Sequence, residues 1–422
     1  MKKIQTKKLK FVNDKTLIAT VDIGKGLNMG YARCPDHSEI KPFEFANNRA
    51  GFDTFWNRLV EARDAKDLDS IVVGFESTGA YGEPLQHFLK SKPVQLVQVN
   101  PMHTKRVKEL QGNSPNKTDR KDPKIIADII TLGHSLTVVI PEGAAAELRR
   151  LTVARERANK RRTSLYNQLQ DLIFISFPEF LQIIKNVKTK TAHHLLQTYP
   201  NPQDMIAVGA ESLSADVKRV SRGTMDPAKA KDLFEAARVS AGIVEGRFSV
   251  GLEIQAALEA IDAIDDFVVR LEEEMSHRLE EIPYSHLLLS MKGIGRVTAA
   301  GLIGEVGDFN SFDTQKELLK HAGFDLFEIS SGKLRGSRRI SKRGRPLLRK
   351  LLFFAALNTV RKGGVMYEHY QKHLKKGMKK IKALVAIARK LLGIIFALVR
   401  TKREYQEDYQ KIQTATSMPM AA

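Results

Sequence analysis

Apolar and polar positions alternate in short runs along residues 16–140, and the pattern changes character after Pro141. "TLIATVDIG", "NMGYARC" and "SEIKPFEFA" have the spacing of three antiparallel strands joined by tight turns. From about Gly51 to Ala65 the period lengthens, with Phe52, Phe55, Trp56, Leu59 and Val60 on one helical stripe. "SIVVGFES" then reads as a buried strand, Pro84–Lys90 as a helix, and "QLVQVN" as a strand ending at Pro101. A helix over 118–132 closes the segment.

Three strands, helix, strand, helix, strand, helix is the order of a ribonuclease-H-like α/β domain, expected over residues 1–140. Pro141 and Gly143 mark its end. Beyond them the chain becomes strongly helical. Residues 144–175 form one long pattern, with Leu165, Leu169 and Leu172 at i, i+4 and i+7. Over 246–282 a heptad appears: Ile254, Ile261, Val268, Met275 and Ile282, with Ala257, Ile264 and Leu271 between them. That repeat predicts a coiled-coil seam, either with the 144–175 helix or between subunits. Residues 176–245 are turn-rich, with short helices and no evident chemistry. The expected division is therefore 1–140, a helical and coiled-coil region 141–284, and a mainly α domain 285–422.

Four carboxylates interrupt the first domain in a way its pattern does not require. Asp22 and Glu76 end Val/Ile-rich runs, where acidic residues are poor strand formers. Asp119 and Asp122, three apart in "NKTDRKDPKIIADII", share a helix face. Singly, each has a plainer role: Asp22 in a turn, Asp119 as a helix cap, Asp122 as a solvated first-turn charge. Together, on two strand tips and one helix, they suit Mg²⁺ or Mn²⁺, since crowded carboxylates need compensating cations. Such sites serve phosphodiester chemistry.

Charge sharpens the picture. The chain of 422 residues carries a net +20, and residues 331–400 alone hold 20 Lys and Arg against one acidic residue, Glu368. Between Gly332 and Lys350 there are nine basic residues and no acidic one. Such a field attracts polyanions, because neutralising phosphates releases counterions. The lone cysteine, Cys34, excludes an internal disulfide and a cysteine-ligated zinc site, which fits a cytoplasmic protein. No secretory signal is visible. "ALVAIARKLLGIIFALV" carries Arg389 and Lys390 in its middle and reads as a buried or amphipathic helix, not a membrane span.

Two motifs lie in the basic third. Met291-Lys292-Gly293-Ile294-Gly295 joins two helical patterns, as in a helix-hairpin-helix, where Gly293 and Gly295 allow backbone to approach a phosphate beside Lys292. "SSGKLRGSRRISKRGRP" follows, a Gly/Ser/Arg loop ended by a helix starting near Arg345. It offers Lys333, Arg335, Arg338, Arg339, Lys342 and Arg343 as phosphate ligands. Ser330 and Ser331 are ordinary loop residues on this reading, since the loop supplies cations but no base to activate a nucleophile.

Assembled, "VDIGK", "GFESTGAYG", "VNPMHTKRVKE", "KTDRKDPKIIAD", "MKGIGRVTAAGLIGEVGDFNSF" and "SSGKLRGSRRISKRGRPLLRKLL" resemble the DEDD transposases of the insertion-sequence class guided by a bridge RNA. The resemblance spans nearly the whole chain. It implies a RuvC-like N-terminal domain whose acidic ligands are Asp22, Glu76, Asp119 and Asp122. It also implies a C-terminal domain whose serine, Ser331 with Ser330 a near rival, attacks DNA to form a covalent phosphoserine intermediate. Donor and target DNA, a structured guide RNA and a homo-oligomer (dimer or tetramer) are the implied partners, and no membrane is. Pro123 departs from the alanine more usual after the last aspartate; proline is tolerated in a first helical turn. The rival readings are a stand-alone metal-dependent Holliday-junction nuclease, which needs no serine, and a non-enzymatic basic nucleic-acid binder.

Overall fold

Residue parity along two strands decides where the chemistry of the N-terminal unit lies. In β1 (Thr16–Asp22), Leu17, Ala19 and Val21 face one side and Ile18, Thr20 and Asp22 the other. In β4 (Ser70–Glu76), Ile71, Val73 and Phe75 take the first side and Val72, Gly74 and Glu76 the second. The computed structural model describes residues 12–76, 79–111, 122–138, 140–328 and 338–406. The chain divides into two compact units, Met1–Ile140 and Pro141–Ala422.

The first unit is a mixed six-stranded sheet in the order β3-β2-β1-β4-β5-β6. β2 (Leu27–Arg33) and β3 (Glu39–Ala46) form an antiparallel meander with β1. β1, β4 and β5 (Gln95–Val99) run parallel, and β6 (Ser135–Thr137) closes the edge antiparallel to β5. α1 (Arg49–Ala65) and α2 (Glu83–Lys90) cover one face, burying Phe52, Phe55, Leu59, Leu85 and Leu89 against the strands. α4 (Asp122–Thr131) covers the other face with Ile125, Ile126, Ile129 and Ile130, and α3 (Pro101–Gln111) lies beside it. Neither α3 nor β6 is in the sequence reading, which ends its third parallel strand at Pro101 and passes directly to the acidic helix.

Close approach fixes α4 on the sheet. A Cβ on Gly74 would fall 2.1 Å from Ile130 Cδ1, so the glycine makes room for this side chain against β4, and a larger residue would force Ile130 to move. Polar ties complete the placement. Arg33 on β2 holds Asp128 at 2.7 Å and Lys124 holds Glu39 at 2.6 Å. Thr20 Oγ1 donates to the Pro123 carbonyl at 2.7 Å.

The second unit is helical. α5 (Gly143–Ser176) and α11 (Arg247–Glu280) are its two long members. Between them α6 (Pro178–Ile183), α7 (Lys190–Thr198), α8 (Pro202–Val208), α9 (Ala210–Ser221) and α10 (Pro227–Arg238) build one apolar cluster with their ends. The heptad residues Ile254, Ile261, Val268 and Met275 are buried inside this single chain, with α11 packed along α5. Arg155 meets Glu272 at 2.6 Å, and Arg162 pairs with Asp265, so a step of seven up one helix matches a step of seven down the other. The seam is thus antiparallel and internal. The alternative of a seam between subunits is corrected, because its core positions are already covered within the chain.

Then follow α12 (Ser285–Leu289), α13 (Arg296–Val306) and α14 (Gln315–His321). A two-stranded ribbon comes next, β7 (Leu326–Phe327) paired antiparallel with β8 (Arg339–Ile340). α15 (Pro346–Thr359), α16 (Tyr367–Lys375) and α17 (Lys380–Thr401) complete the unit. Among the described residues no helix is long and apolar enough to cross a membrane; the stretch around Arg389 is one-sidedly buried, with Ala383, Leu384, Ile387, Leu391 and Ile395 inside.

Candidate active site and nucleic-acid interface

The parallel pairing of β1 and β4 aligns Val21 with Phe75, so Asp22 and Glu76 occupy the next position of each strand, side by side at the carboxyl edge. Neighbouring strands lie about 4.8 Å apart. By parity both carboxylates belong to the α4 face. Asp122 opens α4 on that face, buried, and the Thr20–Pro123 hydrogen bond ties the same turn to β1 two residues before Asp22. Three of the four expected carboxylates therefore stand on adjoining elements at one edge of the sheet. Asp119 lies outside the described residues.

α3 brings two groups to this edge that sequence reasoning missed. Thr104 Oγ1 donates to Glu76 Oε1 at 2.9 Å, and Lys108 Nζ meets Asp122 Oδ2 at 2.6 Å. Asn100 begins the helix, its side chain accepting from the Met102 amide at 2.9 Å, with Pro101 in the first turn. That Asn-Pro start is the signal that could have revealed the helix. The oxygen-only donor set of Asp22, Glu76 and Asp122 fits a hard divalent cation. Among the described residues, however, no three His, Cys, Asp or Glu side chains are gathered closely enough to hold one. Lys108 is the cation on Asp122 in this structure.

The cationic region of the second unit sorts into anchored and outward groups. Arg345 Nε donates to His321 Nε2 at 3.1 Å and its guanidinium lies 3.8 Å from the buried Glu305. Burial, reinforced by the charge of Arg345, pushes the His321 imidazole down to about 4. Arg349 donates to the carbonyls of Ala322 and Gly344, both at 2.9 Å, and Lys350 pairs with Glu156 at 2.7 Å. These three of the nine basic residues hold α15 in place, so the tract is not uniformly available. Arg338 pairs with Glu328 at 2.9 Å across the mouth of the ribbon. Arg339, Lys342 and Arg343 are exposed, and among the described residues none of them has an ion-pair partner. Lys342 holds a left-handed backbone (φ 55°) while its amide bonds the Gly323 carbonyl at 3.0 Å. Ser330, Ser331, Lys333 and Arg335 lie outside the described residues, between the two strands of the ribbon in sequence.

The glycine turn divides its labour. Gly293 (φ 105°) packs inward, where a Cβ would come within 3.0 Å of Thr359 Cγ2 on α15. The same glycine thus also serves the packing of the turn against α15. Gly295 caps α13 with open space before it, and Lys292 beside it is exposed. The leading helix, α12, has only five residues, a short arm for a helix-hairpin-helix.

An acidic strand edge and a cationic ribbon in one chain are the equipment of a protein that cuts and joins DNA, and the comparisons agree. Residues 19–178 match the IS110-type DEDD domain, described as "Transposase". Residues 285–371 match the "Transposase IS116/IS110/IS902 family". An insertion element IS110 protein of Streptomyces coelicolor is 22% identical, over 92% of this chain and 94% of its own. An insertion element IS116 protein of Streptomyces clavuligerus is 24% identical, over 94% and 97%. A pilin gene-inverting protein of Moraxella bovis is 33% identical over 32% of this chain and 40% of its own. The class the two family models define is the DNA transposase. The chain belongs to the IS110 family of DEDD transposases.

Proposed function

We propose that this transposase exchanges DNA strands through a covalent serine intermediate, with Asp22, Glu76, Asp119 and Asp122 as the acidic site of a RuvC-like domain. The observation that carries it is the alignment of Asp22 and Glu76 on neighbouring parallel strands, with Asp122 held to the same edge. The strand order, with three antiparallel and then two parallel additions, supports the ribonuclease-H-like reading. Asp22, Glu76 and Asp122, joined by Asp119, would hold Mg²⁺ or Mn²⁺. When bound, the ion supplies charge neutralisation at the phosphate oxygens.

The chain's own residues do the rest. The Ser331 hydroxyl oxygen bonds to phosphorus and gives its proton to solvent, while the bond from phosphorus to one ester oxygen of the DNA breaks and that oxygen takes a proton from solvent to leave as a hydroxyl. One phosphoester replaces another, so a new DNA hydroxyl can reverse the step and release the serine. Arg339, Lys342 and Arg343 offset the charge that develops on phosphate. Gene inversion, named for the Moraxella relative, also demands rejoining, and this favours the serine route over simple hydrolysis. Guidance by a structured RNA and assembly as a dimer or tetramer belong to the same proposal. They rest on the family resemblance alone, since the heptad is used within the chain.

The test is a denaturant-resistant protein–DNA adduct. Ser331→Ala is expected to bind DNA yet form no adduct, and Ser330→Ala to form it normally. If only Ser330→Ala is dead, the nucleophile shifts by one residue. If both variants retain strand exchange, the hydrolytic junction nuclease becomes the better account.

A further inference from the structure

The second family match ends at residue 371, and residues 372–382 then hold six lysines: Lys372, Lys375, Lys376, Lys379, Lys380 and Lys382. All six are exposed, and none has an ion-pair partner among the described residues. Elsewhere on this unit exposed cations are often paired, as in Lys350–Glu156 at 2.7 Å and Arg296–Glu280 at 2.5 Å. The fold gathers the lysines at one place. α16 ends at Lys375 with Lys376 as its cap, the chain turns at Gly377 (φ 77°), and Lys379 caps the start of α17.

This arrangement is unfavourable for the protein by itself. Lys379, Lys380 and Lys382 crowd a helix N-terminus that has no acidic residue in its first turn, against the helix dipole. Behind the turn, half-buried Lys390 donates to His369 Nε2 at 2.9 Å. Burial and then Lys372 hold the Lys390 amine below its ordinary value. Burial, followed by Lys390, Lys372 and His373, does the same to His369, and Glu368 alone opposes them. Lys390 thus lies behind the exposed lysines against a histidine held toward its neutral form, with Glu368 the carboxylate beside them.

We propose that the α16–α17 turn is a second nucleic-acid surface, which grips backbone phosphates without reading sequence and acts apart from the ribbon's Arg339, Lys342 and Arg343. Lysine ammonium groups are point charges suited to phosphates, whereas base reading favours the planar fork of arginine. An anionic membrane fits poorly, because the apolar face an interfacial helix needs is spent on the core of the unit. Only Ile381, 71% exposed, stands among the lysines. A protein partner would call for an apolar centre that this surface lacks.

The inference rests on the transposase reading for its ligand class, and the test separates the two. The full-length protein and its K375Q/K376Q/K379Q/K380Q variant are titrated with a mixed-sequence DNA duplex and an RNA duplex of equal length over a salt series. The slope of log K against log salt is expected to fall by about 3 to 4, roughly 0.9 per lost DNA phosphate contact. The loss should be equal for a scrambled sequence, and the thermal midpoint should hold or rise as like charges are removed. A fall with DNA alone, with RNA alone or with both supports the surface and identifies what it holds. An unchanged slope overturns the inference while leaving the transposase reading intact, and so does a loss confined to phosphatidylserine vesicles. If the parent protein binds neither duplex, the transposase reading itself falls.

Discussion

The acidic edge of the first unit and the cationic ribbon of the second present charge in opposite ways. Asp22 and Glu76 are placed by sheet register: a two-residue period and a parallel pairing bring them together whatever lies beyond the strand ends. Arg339 stands on a ribbon of two-residue strands with Lys342 and Arg343 just beyond it, and a network beneath, Glu305, Arg345 and His321, fixes its base. The first arrangement is rigid at the charged residues themselves. The second is rigid one layer below. Losing a residue should therefore cost function at the edge and stability at the base of the ribbon.

The largest expected effect comes from breaking the edge. Asp22→Asn and Glu76→Gln, made separately, should each lower strand transfer by about two to three orders of magnitude, as for loss of a transition-state electrostatic group. Neither should lower the thermal midpoint, because removing one of several neighbouring negative charges relieves repulsion. Strand-transfer assays beside thermal unfolding check this. A variant that is fully active, or inactive only because it unfolds, would end the reading of the edge as a catalytic site.

Legibility divides along the same line. β1 and β4 were readable because Val/Ile-rich runs ending in acids contradict strand propensity unless the acid has a task. α3 was missed because its stretch "PMHTKRVKELQ" is mostly polar; among the described side chains, Val107 is the hydrophobic one packed on the core. Thr104 and Lys108 were lost with it. β6 is three residues long at a sheet edge, too short for a pattern. The heptad was plain in sequence while its partner was left open, although the clue was present: Arg155 and Arg162 are spaced seven apart, as are Asp265 and Glu272. Within the basic tract, no property of an arginine side chain separates Arg345 and Arg349 from Arg339 and Arg343. Only His321 and the carbonyls of Ala322 and Gly344 do that.

A pH experiment sharpens the other half of the comparison. His321 is held neutral, its folded value near 4 against an ordinary value of 6.5. Between those values the unfolded chain binds the proton and the folded chain does not. The contribution of His321 is therefore fully present above about pH 6.5 and is lost as pH falls toward 4, by up to about 3 kcal/mol. Denaturant unfolding of the parent protein across that window should show the loss, and His321→Gln should flatten it. An equally steep decline in His321→Gln would assign the acid sensitivity to other groups and weaken the idea of a buried base beneath the ribbon.

The smallest effect tests the edge without any assay of activity. Lys108 Nζ lies 2.6 Å from Asp122 Oδ2, and Asp122 is one of the carboxylates proposed to hold the divalent ion. The ammonium and a divalent ion compete for the charge of the same carboxylate, so the lysine opposes loading of the site by like-charge repulsion. The pair is half-exposed, with 37% of the lysine side chain and 13% of the aspartate accessible, and is screened accordingly. Such a pair is worth no more than about 1 kcal/mol, which is about a fivefold change in an equilibrium. Lys108→Met, which keeps the length of the stem and removes the charge, is therefore expected to tighten Mn²⁺ binding to the DNA-free protein by about twofold to fivefold, read by calorimetry or by the paramagnetic signal of free Mn²⁺. Asp122→Asn should weaken the same binding in both backgrounds. Weaker Mn²⁺ binding in Lys108→Met would mean that the lysine holds the edge in the shape the ion needs, and no change would mean that the ion enters without touching Asp122.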